Sequence, residues 1–437
     1  MPARRLERFS NYISSPLRFL KNRKLRNYFK ITKLKIKNYR NYGSFFSQSK
    51  TLANKKLRIL LTGGGSGGHT FPLIAVSREL KKIALAQDIE LQLIYLGPND
   101  FTLPYIQKEG IDIKTISAGK FRREFSWKNF LDIFKTIAGI FQTLFYVYIL
   151  MPDLIFSKGG YGSFPVSFWG IIFFIPTYTH ESDFIPGLVN HLIGRFCKKI
   201  FISFEGTKQY FPLKKTILVG NPIREDLFTE KINLEATKKL LGLSPKPVLT
   251  IIGGSQGSKH INDLILDILP KIINQTEIIH QVGNDNFQEV KKETEVVFQE
   301  IIKDEERKQF YHPISFFEES QTPNINSLKD VLAISDLIIA RAGSGLIFEI
   351  AASGKPSIII PLPWASQDHQ KKNAYEYAKT GAAIVIEENN LKPSIFSDLI
   401  LQTLNDPKKI ALMSQATQSF AKPKAAEQIA QYLLQNT

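Results

Sequence analysis

The sequence predicts an α/β protein made of two parallel-sheet domains, on three observations. A strand, a glycine-rich loop and a helix start follow one another at residues 58–80, and the same succession returns at 248–269. After each unit, short apolar runs alternate with helical patterns, as βαβ construction requires. The chain has 437 residues, whereas a single hydrophobic core serves about 100–200.

Hydrophobic residues make up 43% and charged residues 22%, which places the chain among ordinary globular proteins rather than disordered ones. The single cysteine, Cys197, excludes an internal disulfide and suits a reducing compartment. The histidines are scattered, without the spacing of a zinc site. The net charge of +17 is unevenly spread: residues 1–50 carry fourteen Lys/Arg and one acid, Glu7, and the rest of the chain is close to neutral.

The basic extension, residues 1–56, interleaves its charges with Phe19, Tyr28, Phe29, Tyr39, Tyr42, Phe45 and Phe46. It lacks the apolar run of a secretory signal. Three readings stay open: an arm drawn to anionic lipid, an organelle transit peptide, or an extension without a specific role. It has no nucleic-acid recognition fold behind it, so no nucleic-acid partner is expected.

The first domain is expected over 57–219. Arg58-Ile-Leu-Leu61 breaks into Thr62-Gly-Gly-Gly-Ser-Gly-Gly-His69 and a helix through Leu80. Glycines let the main chain approach a phosphate, and a helix start offers free N–H groups at its positive dipole end. Gly63, Gly65 and Gly68 formally match the dinucleotide fingerprint. The next strand, however, ends in Gly97-Pro98 with no acid to hold a ribose, so no nicotinamide or flavin cofactor is expected.

Trp127–Leu150 is apolar but interrupted by Lys128, Asp132, Lys135 and Gln142, and its uninterrupted part is shorter than the roughly 20 residues of a membrane span. Phe168–Ile175, ending at Pro176, reads as a buried strand–helix element.

A linker is expected over 220–245 and a second domain over 246–405. Val248-Leu-Thr-Ile-Ile252 reads as a buried parallel strand entering Gly253-Gly-Ser-Gln-Gly-Ser258, and a helix follows with Ile261, Leu264, Ile265 and Leu269 on one face. Asp336–Ala340 and Lys355–Pro361 are further strands. The first leads to Arg341-Ala-Gly-Ser-Gly345 and a helix carrying Glu349, an acid well placed for ribose hydroxyls; the second leads to Trp364–Gln370. A helical segment, 406–437, closes the chain.

Six stretches, in this order and spacing, resemble the MurG family of GT-B glycosyltransferases over about residues 57–400. They are Gly63–Pro72, His180-Glu-Ser-Asp-Phe-Ile-Pro-Gly-Leu188, Val219-Gly-Asn-Pro-Ile-Arg224, Gly253–Gly257, Arg341-Ala-Gly-Ser344 and Asp368-His-Gln-x-x-Asn373. The resemblance implies a GT-B fold, two Rossmann-like domains facing each other across a substrate cleft. It also implies transfer of N-acetylglucosamine from UDP-N-acetylglucosamine to a polyprenyl-diphosphate-linked muramoyl-pentapeptide, lipid I, giving lipid II for peptidoglycan.

By the same resemblance, Ser66, Gly67 and Gly68 receive the acceptor diphosphate, and His69 and Glu181 are the catalytic candidates. Asp183 stands where some members have asparagine, and Arg224 contacts the donor. Ser255 and Gln256 hold the donor diphosphate, Glu349 the ribose and Gln370 the sugar, and a main-chain contact to uracil falls at Ile325. The segment 284–328 is longer and more charged than the family pattern, and the basic extension has no counterpart in it. The family docks on membranes through an apolar patch with basic flanks, for which Lys120, Phe121, Arg122, Arg123, Phe125, Trp127, Phe130 and Phe134 are the candidates. Peripheral attachment to the anionic cytoplasmic face of the cell membrane is the expectation.

Charge development suggests the mechanism. Negative charge grows on the leaving diphosphate, where N–H groups, a helix dipole at 253–258 and Arg224 can stabilise it; no Asp-x-Asp metal grip is evident. His69, with an ordinary pKa of about 6.5, suits a general base, and Glu181 or Asp183 are alternatives. A single displacement inverts the anomeric centre. A galactolipid synthase acting on diacylglycerol, or a non-catalytic sugar-nucleotide-binding scaffold, are the competing readings.

Overall fold

The apolar runs after Lys56 and Pro247 are central strands of two separate parallel sheets. The computed structural model describes residues 56–437 apart from 66, 120–126, 226, 228–232, 255 and 318–322, and omits the side chains of 127–131. The basic extension, Ser66, Ser255 and the docking candidates from Lys120 to Phe130 therefore lie outside the described residues or side chains.

The first sheet has seven strands: β1 (Leu57–Thr62), β2 (Leu91–Gly97), β3 (Asp112–Thr115), β4 (Leu154–Ser157), β5 (Thr177–Glu181), β6 (Lys199–Ile202) and β7 (Thr216–Leu218). Their order is β3-β2-β1-β4-β5-β6-β7, all parallel. Between them run helices α1 (Gly67–Ala86), α2 (Leu103–Lys108), α3 (Trp127–Leu150), α4 (Phe164–Ile172) and α5 (Leu188–Gly194). β1 is apolar along its length because both faces are covered: Ile59 and Leu61 belong to one core layer, Leu60 to the layer on the other side.

The second sheet has six strands: β8 (Val248–Ile252), β9 (Glu277–Gln281), β10 (Tyr311–Ile314), β11 (Leu337–Arg341), β12 (Ser357–Ile360) and β13 (Ala383–Val385). It is also parallel, in the order β10-β9-β8-β11-β12-β13. Along the rest of the chain run helices α6 (Leu234–Leu240), α7 (Lys259–Ile272), α8 (Phe287–Val296), α9 (Leu328–Ile334), α10 (Ser344–Ala352), α11 (His369–Ala378), α12 (Pro393–Leu404), α13 (Pro407–Phe420) and α14 (Ala425–Gln435). The apolar stripe expected after the second glycine loop is buried on α7 at Ile261, Leu264, Ile265 and Leu269.

Several local readings change. Phe168–Ile175 is not a strand followed by a helix: Phe164–Ile172 is one helix, begun by Pro165 in its first turn, and Pro176 precedes β5. Within the long charged segment 284–328, α8 runs into a π-helical turn at Val297–Ile302, which buries Phe298 and ends at left-handed Lys303. The closing segment divides: α13 packs on α10 of the second domain, whereas α14 buries Ile429, Ala430 and Leu433 in the core of the first.

α3 divides its apolar surface between the domain and the outside. Asp132–Leu150 is long and apolar enough to cross a membrane by length and composition, with 17% of that window buried. Its inner face is nevertheless committed to the domain, with Thr143 and Val147 buried and the Trp169 indole N–H donating to the Ile140 carbonyl at 2.7 Å. The outer face exposes Phe134, Ile137, Phe141, Phe145, Tyr148 and Ile149.

Candidate active site

Parallel sheets of this kind gather ligands at the carboxyl edge where the strand order reverses. In the first sheet that point lies between β1 and β4, and both strands end in glycine turns. Pairing persists to the edge, the Lys158 N–H donating to the Thr62 carbonyl at 2.9 Å. Gly65 has φ of +96°, and a Cβ there would lie 2.3 Å from the Tyr161 ring, so the two turns interlock only because this residue lacks a side chain. Asp100 pins the first turn: its carboxylate accepts the Gly65 N–H at 2.8 Å and the Thr102 N–H at 2.9 Å. α1 begins at Gly67, so its free N–H groups open on this loop. Pro72, lacking an N–H, gives the Gly68 carbonyl no helical partner.

A polar cluster lies beneath these turns. Lys158 is 1% exposed, and its ammonium donates to His180 Nδ1 at 2.7 Å, to Ser182 Oγ and to Asn221 Oδ1 at 3.4 Å. His180 lies 2.9 Å from the Gly220 carbonyl through Nε2, so it carries its proton there and accepts through Nδ1. Burial and Lys158 hold the His180 pKa well below its ordinary value. Burial also brings Lys158 down to about 8, against the pull of Glu181 and Asp183. His69, at the start of α1, is lowered to about 4, first by burial and then by Lys158. Among the described residues its Nδ1 is buried without a hydrogen-bond partner.

The second sheet reverses between β8 and β11, and there too both strands end in glycine turns. The Gln256 carbonyl accepts from Asn286 Nδ2 at 3.3 Å. Arg341, at the end of β11, donates to Ser258 Oγ at 2.6 Å and pairs with Glu388 at 2.5 Å. Gly343 precedes α10, which carries half-buried Glu349 in its second turn. After β12 the chain turns through Gln367 and Asp368, both left-handed at φ of +58° and +55°, a conformation costly for residues with side chains. This turn starts α11, and Gln370 accepts the Leu362 N–H at 3.0 Å. Trp364, on the same loop, is 89% exposed.

The two sheets have matching family counterparts. Residues 59–202 match the glycosyltransferase family 28 N-terminal domain, and 248–429 match its C-terminal domain. The UDP-N-acetylglucosamine--N-acetylmuramyl-(pentapeptide) pyrophosphoryl-undecaprenol N-acetylglucosamine transferase of Clostridium novyi is 37% identical over 358 residues, 81% of this chain and 92% of the relative. The enzyme of the same name from Treponema denticola is 31% identical over 394 residues, 86% and 96% of the two chains. The chain belongs to the MurG family. The crystal structure of Acinetobacter baumannii MurG shares the fold with a TM-score of 0.65 at 21% identity, covering 87% of this chain and 99% of its own. A UDP-GlcNAc 2-epimerase from Neisseria meningitidis, bound to UDP-GlcNAc, shares it with a TM-score of 0.60 at 15% identity, covering 87% and 100%.

The MurG resemblance singled out residues that the structure distributes over both switch points. Gly67, Gly68 and His69 stand at the first, Gln256 and Glu349 at the second, and Gln370 one strand further along, after β12. Arg224 is half-buried on the connection between the sheets, its carbonyl accepting the Leu227 N–H at 3.4 Å. Ile325 packs its side chain among Val248, Ile279, Ile314, Val331 and Ile334, so a contact with a base would fall to its main chain.

Glu181 differs from the acid facing the cleft that the MurG resemblance implied. It is 4% exposed, and its carboxylate accepts the N–H groups of Asp183 and Gly187 and Asn190 Nδ2, each at 3.0 Å. Burial and Asp183 push its pKa up despite these donors. This geometry shapes the 181–190 loop and leaves Glu181 poorly placed to reach a substrate. Asp183 accepts from Asn373 of the other domain at 2.8 Å.

Lys158, Asp100, Tyr161 and Asn221 were missed. A lysine directly between an apolar strand and a Gly-Gly turn was a visible anomaly; the burial of its ammonium was not.

Proposed function

We propose that the chain is the inverting N-acetylglucosaminyltransferase that converts lipid I to lipid II, taking its sugar from UDP-N-acetylglucosamine. The observation that carries this is identity of 31–37% with enzymes of that name over 92–96% of their length, together with the family matches at 59–202 and 248–429 that take in both domains. The acceptor diphosphate sits on the turns after β1 and β4, and the donor diphosphate on the 253–258 turn. Glu349 serves the ribose, Gln370 the sugar, Arg224 the donor diphosphate and the main chain at Ile325 the base.

The acceptor hydroxyl loses its proton to His69 as its oxygen bonds to the anomeric carbon. The bond from that carbon to the β-phosphate oxygen breaks, and UDP leaves with the electron pair. N–H groups fixed before the reaction stabilise the growing charge without reorganising. The apolar outer face of α3 supports peripheral attachment at the cytoplasmic membrane face, where a lipid-linked acceptor lies.

The test is transfer of labelled N-acetylglucosamine from its UDP form to a short-chain lipid I analogue, with UDP-galactose and diacylglycerol in parallel. Incorporation into the lipid I analogue supports the assignment. Transfer only to diacylglycerol moves it to a galactolipid synthase, and UDP binding without transfer leaves a scaffold.

A further inference from the structure

Lys158 is a cation inside the acceptor domain that the proposed chemistry does not use. Its three N–H bonds meet three acceptors drawn from three places. His180 lies on β5, Ser182 on the loop beyond it, and Asn221 on the connection to the second domain. Ser182 Oγ also donates to Asn221 Oδ1 at 3.1 Å, and His180 binds the Gly220 carbonyl at 2.9 Å, so the cluster closes on itself. Such a saturated network fixes each member's rotamer and position.

The glycine turns on either side of this residue lie against the candidate base. A Cβ on Gly160, two residues after Lys158, would lie 3.0 Å from the His69 ring, and a Cβ on Gly63 would lie 3.3 Å from the His69 carbonyl and 3.4 Å from Lys158 Cβ. We propose that Lys158 is a positioning residue for the transfer, which locks the second glycine turn against the His69 ring and lends that ring the field of its ammonium. The proposal rests on the reading of His69 as the base.

A buried imidazole next to an ammonium stays uncharged, with a lone pair for the incoming hydroxyl proton. Asp183, the main chain at Lys158 and Asp100 oppose this, and Glu181 and Asp183 in turn favour the charged form of Lys158; burial outweighs them at both residues. The acceptor's diphosphate then brings negative charge to the turns beside His69, so the imidazolium formed by the reaction is stabilised only when substrate is present.

The experiment pairs Lys158→Met with Lys158→Arg and reads both kinetics and the His69 ring. In Lys158→Met, kcat falls at least about tenfold. The acid limb of kcat/KM for the acceptor moves up by about one pH unit, because His69 protonates more readily without the cation. The KM for UDP-N-acetylglucosamine stays within about twofold, the donor turn being in the other domain. Lys158→Arg keeps the limb in place. Nitrogen-15 NMR of the unsubstituted protein, with the signal assigned by His69→Gln, is expected to show the ring neutral down to about pH 5.

A ring that titrates near 6.5 in the unsubstituted protein overturns the proposal even if Lys158→Met does not fold. An unmoved acid limb in a folded Lys158→Met overturns it as well. Absent transfer to lipid I, with the ring still neutral at pH 5 and titrating higher in Lys158→Met, leaves the electrostatic role standing and removes the catalytic assignment instead.

Discussion

Asn373 of the second domain grips Asp183 of the first. Its amide nitrogen donates to the Asp183 carboxylate at 2.8 Å, and its amide oxygen accepts the Phe184 N–H at 2.8 Å. Asn373 is fully buried and lies one turn after Gln370, so the contact joins the expected sugar helix to the loop shaped by Glu181. Asn373→Asp keeps the shape but sets one carboxylate against another and presents an acceptor to Asp183. We expect kcat at pH 8 to fall about 10- to 100-fold, with partial recovery toward pH 5.5 as the pair takes up a proton. Activity equal to the parent's at pH 8 would dismiss the contact as incidental.

Replacing His69 with Gln removes the proton acceptor while retaining polarity. A loss of about 10²–10⁴ in kcat with the KM for UDP-N-acetylglucosamine unchanged is the expected kinetic split. A rise in acceptor KM with kcat intact would instead make His69 a phosphate ligand.

Three buried histidines set an acid limit on stability. His69 and His280 are lowered to about 4 and about 3 by burial, and His180 falls well below its ordinary value. In the unfolded chain each takes up a proton near pH 6.5, so the unfolded state binds more protons as the pH falls, and stability falls with it. Between pH 6.5 and 5, His69 and His280 each cost about 2 kcal/mol, and His180 adds in the same direction. Urea melts at pH 7.5 and 5.0 measure the sum; equal midpoints would show that these rings are charged in the fold.

Glu181→Gln turns one acceptor oxygen into a donor facing donors. A loss of about 1–3 kcal/mol in unfolding free energy is expected, with a Tm drop visible by calorimetry. An unchanged Tm together with a large loss of kcat would return Glu181 to the group of residues that touch substrate.

The outer face of α3 exposes Phe141 and Phe145 at 65% and 62%. Phe141→Glu with Phe145→Glu should release the protein from vesicles containing anionic lipid, while UDP binding stays the same. Retention on vesicles would point attachment to another surface.

The strands and both glycine turns were legible because parallel strands covered on both faces read as unbroken apolar runs, as at Ile59–Leu61 and Val248–Ile252. Glu349 was singled out by its place after a strand and a glycine turn, and Gln370 by the family resemblance; each falls on a helix that follows a strand of the second sheet. What spacing could not show was how polar side chains are used up inside the fold. Glu181 carried the pattern of a catalytic acid, yet its lone pairs serve main-chain N–H groups three dimensions of folding bring to it. An acid for the first glycine loop was sought directly after β2. Asp100 stands three residues beyond Gly97, but its carboxylate holds the loop itself. α3 shows a related effect: scattered polar residues shorten an apolar run in sequence, whereas on a helix they leave one side uninterrupted.

The return of α14 to the first domain means that the polypeptide passes between the two sheets twice, near Gly220 and near Lys422. These passages touch: a Cβ on Gly220 would lie 2.2 Å from that of Lys422. Two tethers side by side act as a door hinge does, allowing swing about one line and resisting shear and separation. A protease that cuts one of them would leave the halves joined by the other.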